Sequence, residues 1–155
     1  MLAMNKKKLI IIIVVLIGVG LWFGFKFYVN NKGGGGNVPG EISYINATAD
    51  LILVELPFPD AVVGKVFSVI GKARGTWFFE ASFPLELRDK NGKLIANGYA
   101  QAEGEWMTEN FVPFKGEIKA PESYIGPAIL VLKKDNASGL PEHDASISFP
   151  ITVEY

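Results

Sequence analysis

The apolar positions of this chain fall into two regions with different patterns. Residues 9–25 read LIIIIVVLIGVGLWFGF without a charge, and with Lys26 tolerated the stretch continues to Val29. At about 1.5 Å per helical residue, roughly 20 residues cross a hydrocarbon core of about 30 Å. The run is apolar on every face, which argues against a buried core helix. The pattern predicts one transmembrane helix over residues 9–29.

The flanks of this run indicate its orientation. Residues 1–8 contain Lys6, Lys7 and Lys8, and positive residues stay on the cytoplasmic side. The other end carries aromatic residues, typical of a membrane interface, and shows no small-x-small cleavage pattern. We therefore expect an uncleaved signal anchor with a cytoplasmic N-terminus, whether translation starts at Met1 or Met4. A cleaved signal peptide is the alternative.

Residues 30–40 read NNKGGGGNVPG and predict a flexible tether. Four consecutive glycines lose too much backbone entropy on ordering to favour a helix or strand. The folded domain is expected over residues 41–155, outside the cytoplasm.

Beyond the tether, apolar and polar residues alternate with a period of two. In residues 79–88 the odd positions are Phe, Ala, Phe, Leu and Leu, which predicts a strand with one face in the core. Pro84 places that strand at an edge or a bulge. The turn sequence Asp-Lys-Asn-Gly at residues 89–92 predicts a hairpin, with 93–102 as the partner strand. Small residues on one face of that partner leave room for large side chains opposite.

Five further segments read as strands, namely 51–55, 66–72, 111–118, 128–133 and 147–153. Seven short strands separated by Gly and Pro turns are typical of a β-sandwich. We predict an all-β sandwich of about seven strands, with Trp77 and Trp106 as core anchors.

Composition adds two constraints. Residues 1–36 carry five Lys and no acid, whereas residues 37–155 carry ten basic and 16 acidic residues, a net charge of −6. An acidic domain has no electrostatic reason to bind nucleic acid. The chain contains no Cys, which excludes disulfides and thiolate metal sites.

Three stretches of the domain together resemble a known family. They are ARGTWFFEASFP at 73–84, GEWMTENFVPF at 104–114 and KKDNASGLP at 133–141. In this order and spacing they are similar to the immunoglobulin-like domain of bacterial spore germination, over about residues 50–155. The resemblance implies an immunoglobulin-like sandwich on an extracytoplasmic envelope protein, in some cases associated with germination modules. It implies no established activity or ligand.

The residues offer weak candidates for catalysis or metal binding. His143 is the only His, and Ser138 or Ser146 with Asp144 would complete a triad that nothing in the sequence orients. Glu80, Glu103, Glu105 and Glu109 could supply a hydrolytic carboxylate pair, although Glu80 more simply pairs with Arg74 or a Lys. Residues 134–139 resemble part of a calcium loop without its distal Glu. We expect no enzyme, no cofactor and no metal.

A binding face is the remaining candidate. Phe78 and Phe79 cannot both face the core of one strand, so the aromatic residues of the family-like stretches either fill the core or form an exposed patch. The candidate ligand or partner residues are Trp77, Phe78, Glu80, Glu105, Trp106, Glu109 and Asn110. Of these, Trp106, Glu105, Glu109 and Asn110 together would suit a sugar or a peptide, by stacking and hydrogen bonding.

The leading hypothesis is a non-enzymatic, membrane-anchored binding or adhesion module for a cell-wall polymer or an envelope protein. An accessory or structural subunit of a larger envelope complex is the alternative. An envelope hydrolase is a third.

Overall fold

A computed structural model describes residues 40–155 of the chain. The predicted basic N-terminus at 1–8, the transmembrane helix at 9–29 and the tether up to residue 39 lie outside the described residues. Between residues 40 and 155, no helix is long and apolar enough to span a bilayer.

The described residues form nine strands, two more than the sequence predicted. They are β1 (Ser43–Ile45), β2 (Ile52–Leu56), β3 (Val62–Val63), β4 (Val66–Arg74), β5 (Ser82–Asp89), β6 (Leu94–Ala102), β7 (Phe111–Lys119), β8 (Gly126–Lys133) and β9 (Ser146–Val153). Two short 3₁₀ turns, Gly75–Trp77 and Pro141–His143, interrupt the loops.

The strands follow one another in the order β1-β9-β8-β5-β6-β7-β4-β2, and β3 pairs with β9 in parallel. Strand β6 pairs with β5 along most of its length but with β7 through only three residues. The sheet therefore curls at β6 into the two halves of an immunoglobulin-like sandwich. The rings of Phe83 on β5 and Phe114 on β7 lie edge to face with centroids 4.9 Å apart, which places the core between these halves.

The predicted alternation is confirmed in the central strands. On β9 the residues Ile147, Phe149, Ile151 and Val153 are buried, and on β5 the same holds for Phe83, Leu85 and Leu87. Strand β6 pairs its small residues with these large ones, since Gly98 lies opposite Leu85 and Ala100 opposite Phe83. A Cβ on Gly98 would lie 2.5 Å from the carbonyl oxygen of Glu117, so the close approach of β7 to this position requires a residue without a side chain.

The two strands missing from the prediction are very short. Strand β1 has three residues and β3 has two, and both pair with the outer edge of β9. Neither shows enough alternation to mark it in the sequence. Both are extended because they form backbone hydrogen bonds with β9.

The prediction that one strand runs through residues 79–88 is wrong at its start. The backbone amides of Phe79 and Ser82 each donate to the other residue's carbonyl, at 3.0 and 3.1 Å. Between them Glu80 and Ala81 adopt positive φ angles of 50° and 61°, as in a two-residue reverse turn. The strand begins at Ser82, and Phe79 is 44% exposed instead of buried.

Pro84 does not lie at a sheet edge, because β5 is central between β6 and β8. The pairing of β5 with β8 begins only at Leu85, so Pro84 lies beyond the end of that ladder. The predicted hairpin at 89–92 is confirmed: Gly92 has a φ of 82° and donates to the carbonyl of Asp89 at 2.9 Å.

Candidate functional site

Four loops meet at one end of the sandwich, which we call the loop end. They are the connections 46–51, 75–81, 103–110 and 134–145. Each of the last three contains part of one family-like stretch, and hydrogen bonds join them. Gly75 donates to the carbonyl of Asn110 at 3.2 Å, and Asp135 donates to the carbonyl of Trp77 at 3.1 Å. The three stretches that looked unusual in the sequence thus form one contiguous structure.

Arg74 holds two of these loops together. Its Nε donates to the carbonyl of Asp50 at 2.9 Å and its Nη1 to the carbonyl of Glu109 at 3.3 Å. The guanidinium also lies 4.1 Å from the ring centroid of Phe111. Within residues 40–155 the expected surface pair of Glu80 with Arg74 or a Lys is not present, and the Arg74 guanidinium instead donates to backbone carbonyls. Sequence reasoning missed this role, although Arg74 belongs to the first family-like stretch.

Gly75 allows loop 103–110 to approach the end of β4. A Cβ at this position would lie 1.9 Å from the carbonyl oxygen of Thr108 and 2.2 Å from that of Trp106. Any side chain here would displace the loop. Only glycine fits this contact.

Trp77 and Phe78 belong to the core and not to the surface. They are 1% and 4% exposed, and both rings pack edge-on against Phe83. Phe79, the next residue, is the exposed member of the aromatic run. Within the part of the chain that the structure describes, the buried Trp77 indole N–H has no hydrogen-bond acceptor.

The other predicted site residues lie at the surface of the loop end. Glu105, Glu109 and Asn110 are exposed, and Trp106 is half-buried against the core. Glu80 is exposed in the reverse turn after Phe79. The candidate set therefore contains accessible loop residues together with two buried aromatic residues, Trp77 and Phe78.

Two of these residues, Glu105 and Asn110, line an open groove of about 330 Å³. The groove is lined by Gly104, Glu105, Thr108, Asn110, Phe111, Val112 and Pro113. Its residues come from loop 103–110 and the first three positions of β7. Sequence reasoning placed Phe111 among the aromatic candidates but missed Thr108, since a single Thr in a loop carries no distinctive signal.

The fourth loop contains a Ser–His contact whose geometry does not activate a nucleophile. Ser138 Oγ lies 2.9 Å from His143 Nδ1, but it also lies 2.6 Å from Asn136 Oδ1. Asn136 Nδ2 donates to the carbonyl of Leu140 and to Asp144 Oδ1, which identifies the other amide atom as the oxygen. An amide oxygen carries no proton and can only accept. The Ser138 hydroxyl proton therefore points to Asn136.

His143 consequently donates to Ser138, whereas general-base activation would require it to accept. Asp144 contacts Asn136, and among the described residues no carboxylate is hydrogen-bonded to the histidine. The same contacts assign residues 134–139 to turn chemistry. In residues 40–155, no group of three or more His, Asp or Glu side chains is placed to hold a metal ion.

Comparison with known families matches residues 51–139 to the immunoglobulin-like domain of bacterial spore germination. The chain belongs to this family. The match covers more than half of the chain and includes two of the four loops of the loop end, 75–81 and 103–110, together with the first half of 134–145. No curated protein and no solved structure matches the chain.

Proposed function

We propose that this protein is a membrane-anchored, extracytoplasmic binding module of the bacterial cell envelope that works without catalysis. The loop end is its recognition surface, and its ligand is a cell-wall polymer or another envelope protein. The observation that carries the proposal is the junction of the three family-like stretches at this end. In immunoglobulin-like sandwiches, loops clustered at one end form a ready binding surface on a rigid scaffold.

The position of Gly40 supports this assignment. Strand β1 runs antiparallel to β9, with Ile45 opposite Ser146 at the loop end and Ser43 opposite Ser148. The chain before Ser43 therefore continues away from the loop end, and Gly40 lies against Asp60, whose amide donates to the carbonyl of Pro150. The first described residues of the domain therefore lie away from the loop end.

Retention on isolated envelope components tests the proposal. The full-length chain in mild detergent is incubated with purified cell wall and, separately, with envelope extract. We expect retention above that of an unrelated sandwich domain with the same anchor. Alanine at Glu105 and Asn110 should lower retention, whereas alanine at Lys90 and Asn91 in the distant β5–β6 hairpin should not. Equal retention of both variants would place binding elsewhere.

A docking role as an accessory subunit of an envelope complex is the second candidate. It is favoured by β2, which ends the strand order and, in the part of the chain that the structure describes, is paired on one side only. Its residues Leu53 and Leu56 are exposed, as is Phe58 directly after it. Such an edge accepts an added strand, although its length of five residues and its bulge limit the ladder. Crosslinking in native membranes separates the two roles, because only docking predicts one stoichiometric protein partner.

An envelope hydrolase finds no support in the loop geometry, since Ser138 is oriented toward Asn136. A carboxylate mechanism would need two acids facing each other across a cleft. Substituting Glu105 by Gln in a hydrolysis assay with purified cell wall tests that route, which predicts turnover by the unchanged chain and none by the variant.

A further inference from the structure

We propose that the groove beside loop 103–110 binds a neutral amido-sugar unit of a glycan chain. This inference rests on the proposed binding function and gives it a ligand class. It follows from the free hydrogen-bonding capacity of the groove, its apolar wall, its volume and its charge.

Three side chains in the groove have hydrogen-bonding groups to spare. Within residues 40–155, the side-chain amide of Asn110 makes no hydrogen bond. Thr108 Oγ1 accepts the Asn110 amide N–H at 3.2 Å and keeps its own proton for a ligand. Glu105 uses Oε1 to accept the Met107 amide at 3.0 Å, which leaves Oε2 as an acceptor. The groove thus offers a hydroxyl donor, a carboxylate acceptor and an amide that does both.

This set of groups matches an amido sugar. The ring hydroxyls of a sugar donate to carboxylates such as Glu105, and an acetamido group pairs with an amide through its own N–H and carbonyl. A fixed carboxylate–hydroxyl bond is stronger than a neutral one, which orients the ring.

The wall beside these polar groups is apolar and held in place. Phe111 and Pro113 line it, and the Arg74 guanidinium packs on Phe111 at 4.1 Å from the ring centroid. The C–H faces of a pyranose pack on such a wall. The volume of about 330 Å³ lies at the lower end of small-ligand pockets, about 300–1,000 Å³, and suits one or two sugar rings.

Charge separates neutral from anionic glycans. Loop 103–110 carries Glu103, Glu105 and Glu109 and contains no Lys or Arg. Lys72 and Arg74 lie over the Phe111 ring, and neither lines the groove. A polymer of phosphates or uronic acids would be repelled from these carboxylates.

Asn110→Ala is the informative variant. The fold uses only the backbone of Asn110, whose amide donates to Thr108 and whose carbonyl accepts from Gly75. The substitution therefore removes the ligand contact and leaves the loop intact. Asn110→Asp is the second variant, since it keeps the shape and removes the donor. Met107→Ala is the matched control, because Met107 is an exposed residue of the same loop and does not line the groove.

Isothermal titration calorimetry of the full-length chain in detergent, with a soluble tetramer of β-1,4-linked N-acetylglucosamine, tests the inference. We expect saturable binding, a loss of about tenfold in affinity for both Asn110 variants, and no change for Met107→Ala. A tetramer of uronic acid should give no binding. Circular dichroism confirms that the variants are folded.

Absence of tetramer binding, equal binding of the uronic-acid tetramer, or unchanged affinity in both Asn110 variants would overturn the inference. The cell-wall and envelope retention assay distinguishes this failure from that of the proposed function. A chain that is retained on the envelope but does not bind the tetramer keeps its binding role and loses this ligand. A chain that does neither loses both.

Discussion

Adding a single methyl group at Gly75 should strongly disturb the packing of the loop end. Replacement by Ala places a Cβ 1.9 Å from the Thr108 carbonyl oxygen and 2.2 Å from that of Trp106. Ordinary contacts begin near 3.4 Å, so loop 103–110 must move by about 1.5 Å. Both obstructing atoms belong to the backbone, so no side-chain rotation relieves the overlap.

The cost follows from the contacts that this movement breaks. The Gly75 hydrogen bond to Asn110, at 3.2 Å, is lost, which costs about 1 kcal/mol. Overpacking adds about 1–3 kcal/mol. We therefore expect Gly75→Ala to lower the free energy of unfolding by about 2–4 kcal/mol. For a domain of about 115 residues, this lowers Tm by about 8–16 °C.

Gly104→Ala is the matched control. Gly104 belongs to the same loop, but a Cβ there meets no atom within 4 Å. Its expected effect on the free energy of unfolding is within about 0.5 kcal/mol. Both variants are compared with the unchanged chain by thermal unfolding followed by circular dichroism, and limited proteolysis reports whether loop 103–110 has loosened.

A Tm for Gly75→Ala within about 2 °C of that for Gly104→Ala would refute the reasoning. It would mean that the loop accommodates a methyl group at no cost, and hence that loop 103–110 does not pack on Gly75. Increased cleavage within the loop in Gly75→Ala alone is the corresponding positive result.

Three further predictions concern other parts of the domain. Ala81→Gly should raise Tm by about 2–4 °C, because glycine adopts the positive φ of this position without strain, and this gain exceeds the entropic cost of ordering a glycine. A lower Tm would contradict the reverse turn at Glu80 and Ala81. Trp77→Ala should cost about 3–5 kcal/mol in urea unfolding, and Trp77→Phe far less, because Phe keeps most of the ring volume and also removes an N–H that has no acceptor within residues 40–155; equal costs would contradict this account of the packing. The backbone N–H of Lys93, and less strongly that of Asn91, lowers the pKa of Asp89 below 3.8. The ionised Asp89 therefore stabilises the fold fully above pH 3.8, and this stabilisation is lost as the pH falls through the lower pKa of the folded state. The free energy of unfolding of Asp89→Asn should accordingly fall less steeply with acid than that of the unchanged chain. Identical pH profiles would contradict this.

Alternation was sufficient to predict the long strands because each buries one face. The inward residues of β5 and β9 were readable for this reason, and the hairpin after Asp89 carried a turn sequence with Gly92 in the required place. Strands β1 and β3 were not readable, since their geometry depends on a partner more than 80 residues away in sequence.

The misread start of β5 has a different cause. Phe79 and Ala81 continue the alternation of the strand, so the pattern alone extends it by three residues. The chain instead reverses through Glu80 and Ala81, two residue types that rarely adopt positive φ. No turn signal in the sequence marks this reversal.

The candidate site was predictable only in part. The resemblance rested on the three stretches, and the candidate residues Glu105, Glu109 and Asn110 are exposed in the structure. The burial of Trp77 and Phe78 and the roles of Arg74 and Gly75 required the structure, because each depends on a loop distant in sequence. The predicted anchor at 9–29 stays a prediction.

The pairing of β1 with β9 has a mechanical consequence. A load applied between Gly40 and a ligand at the loop end acts along the strand axis, because β1 leads away from that end. Hydrogen bonds of an antiparallel ladder lie perpendicular to the strands, so such a load shears them together instead of opening them one at a time. The three residue pairs of β1, from Ser43 to Ile45, would therefore resist extension as a unit. Pulling on Gly40 would therefore load this short strand first.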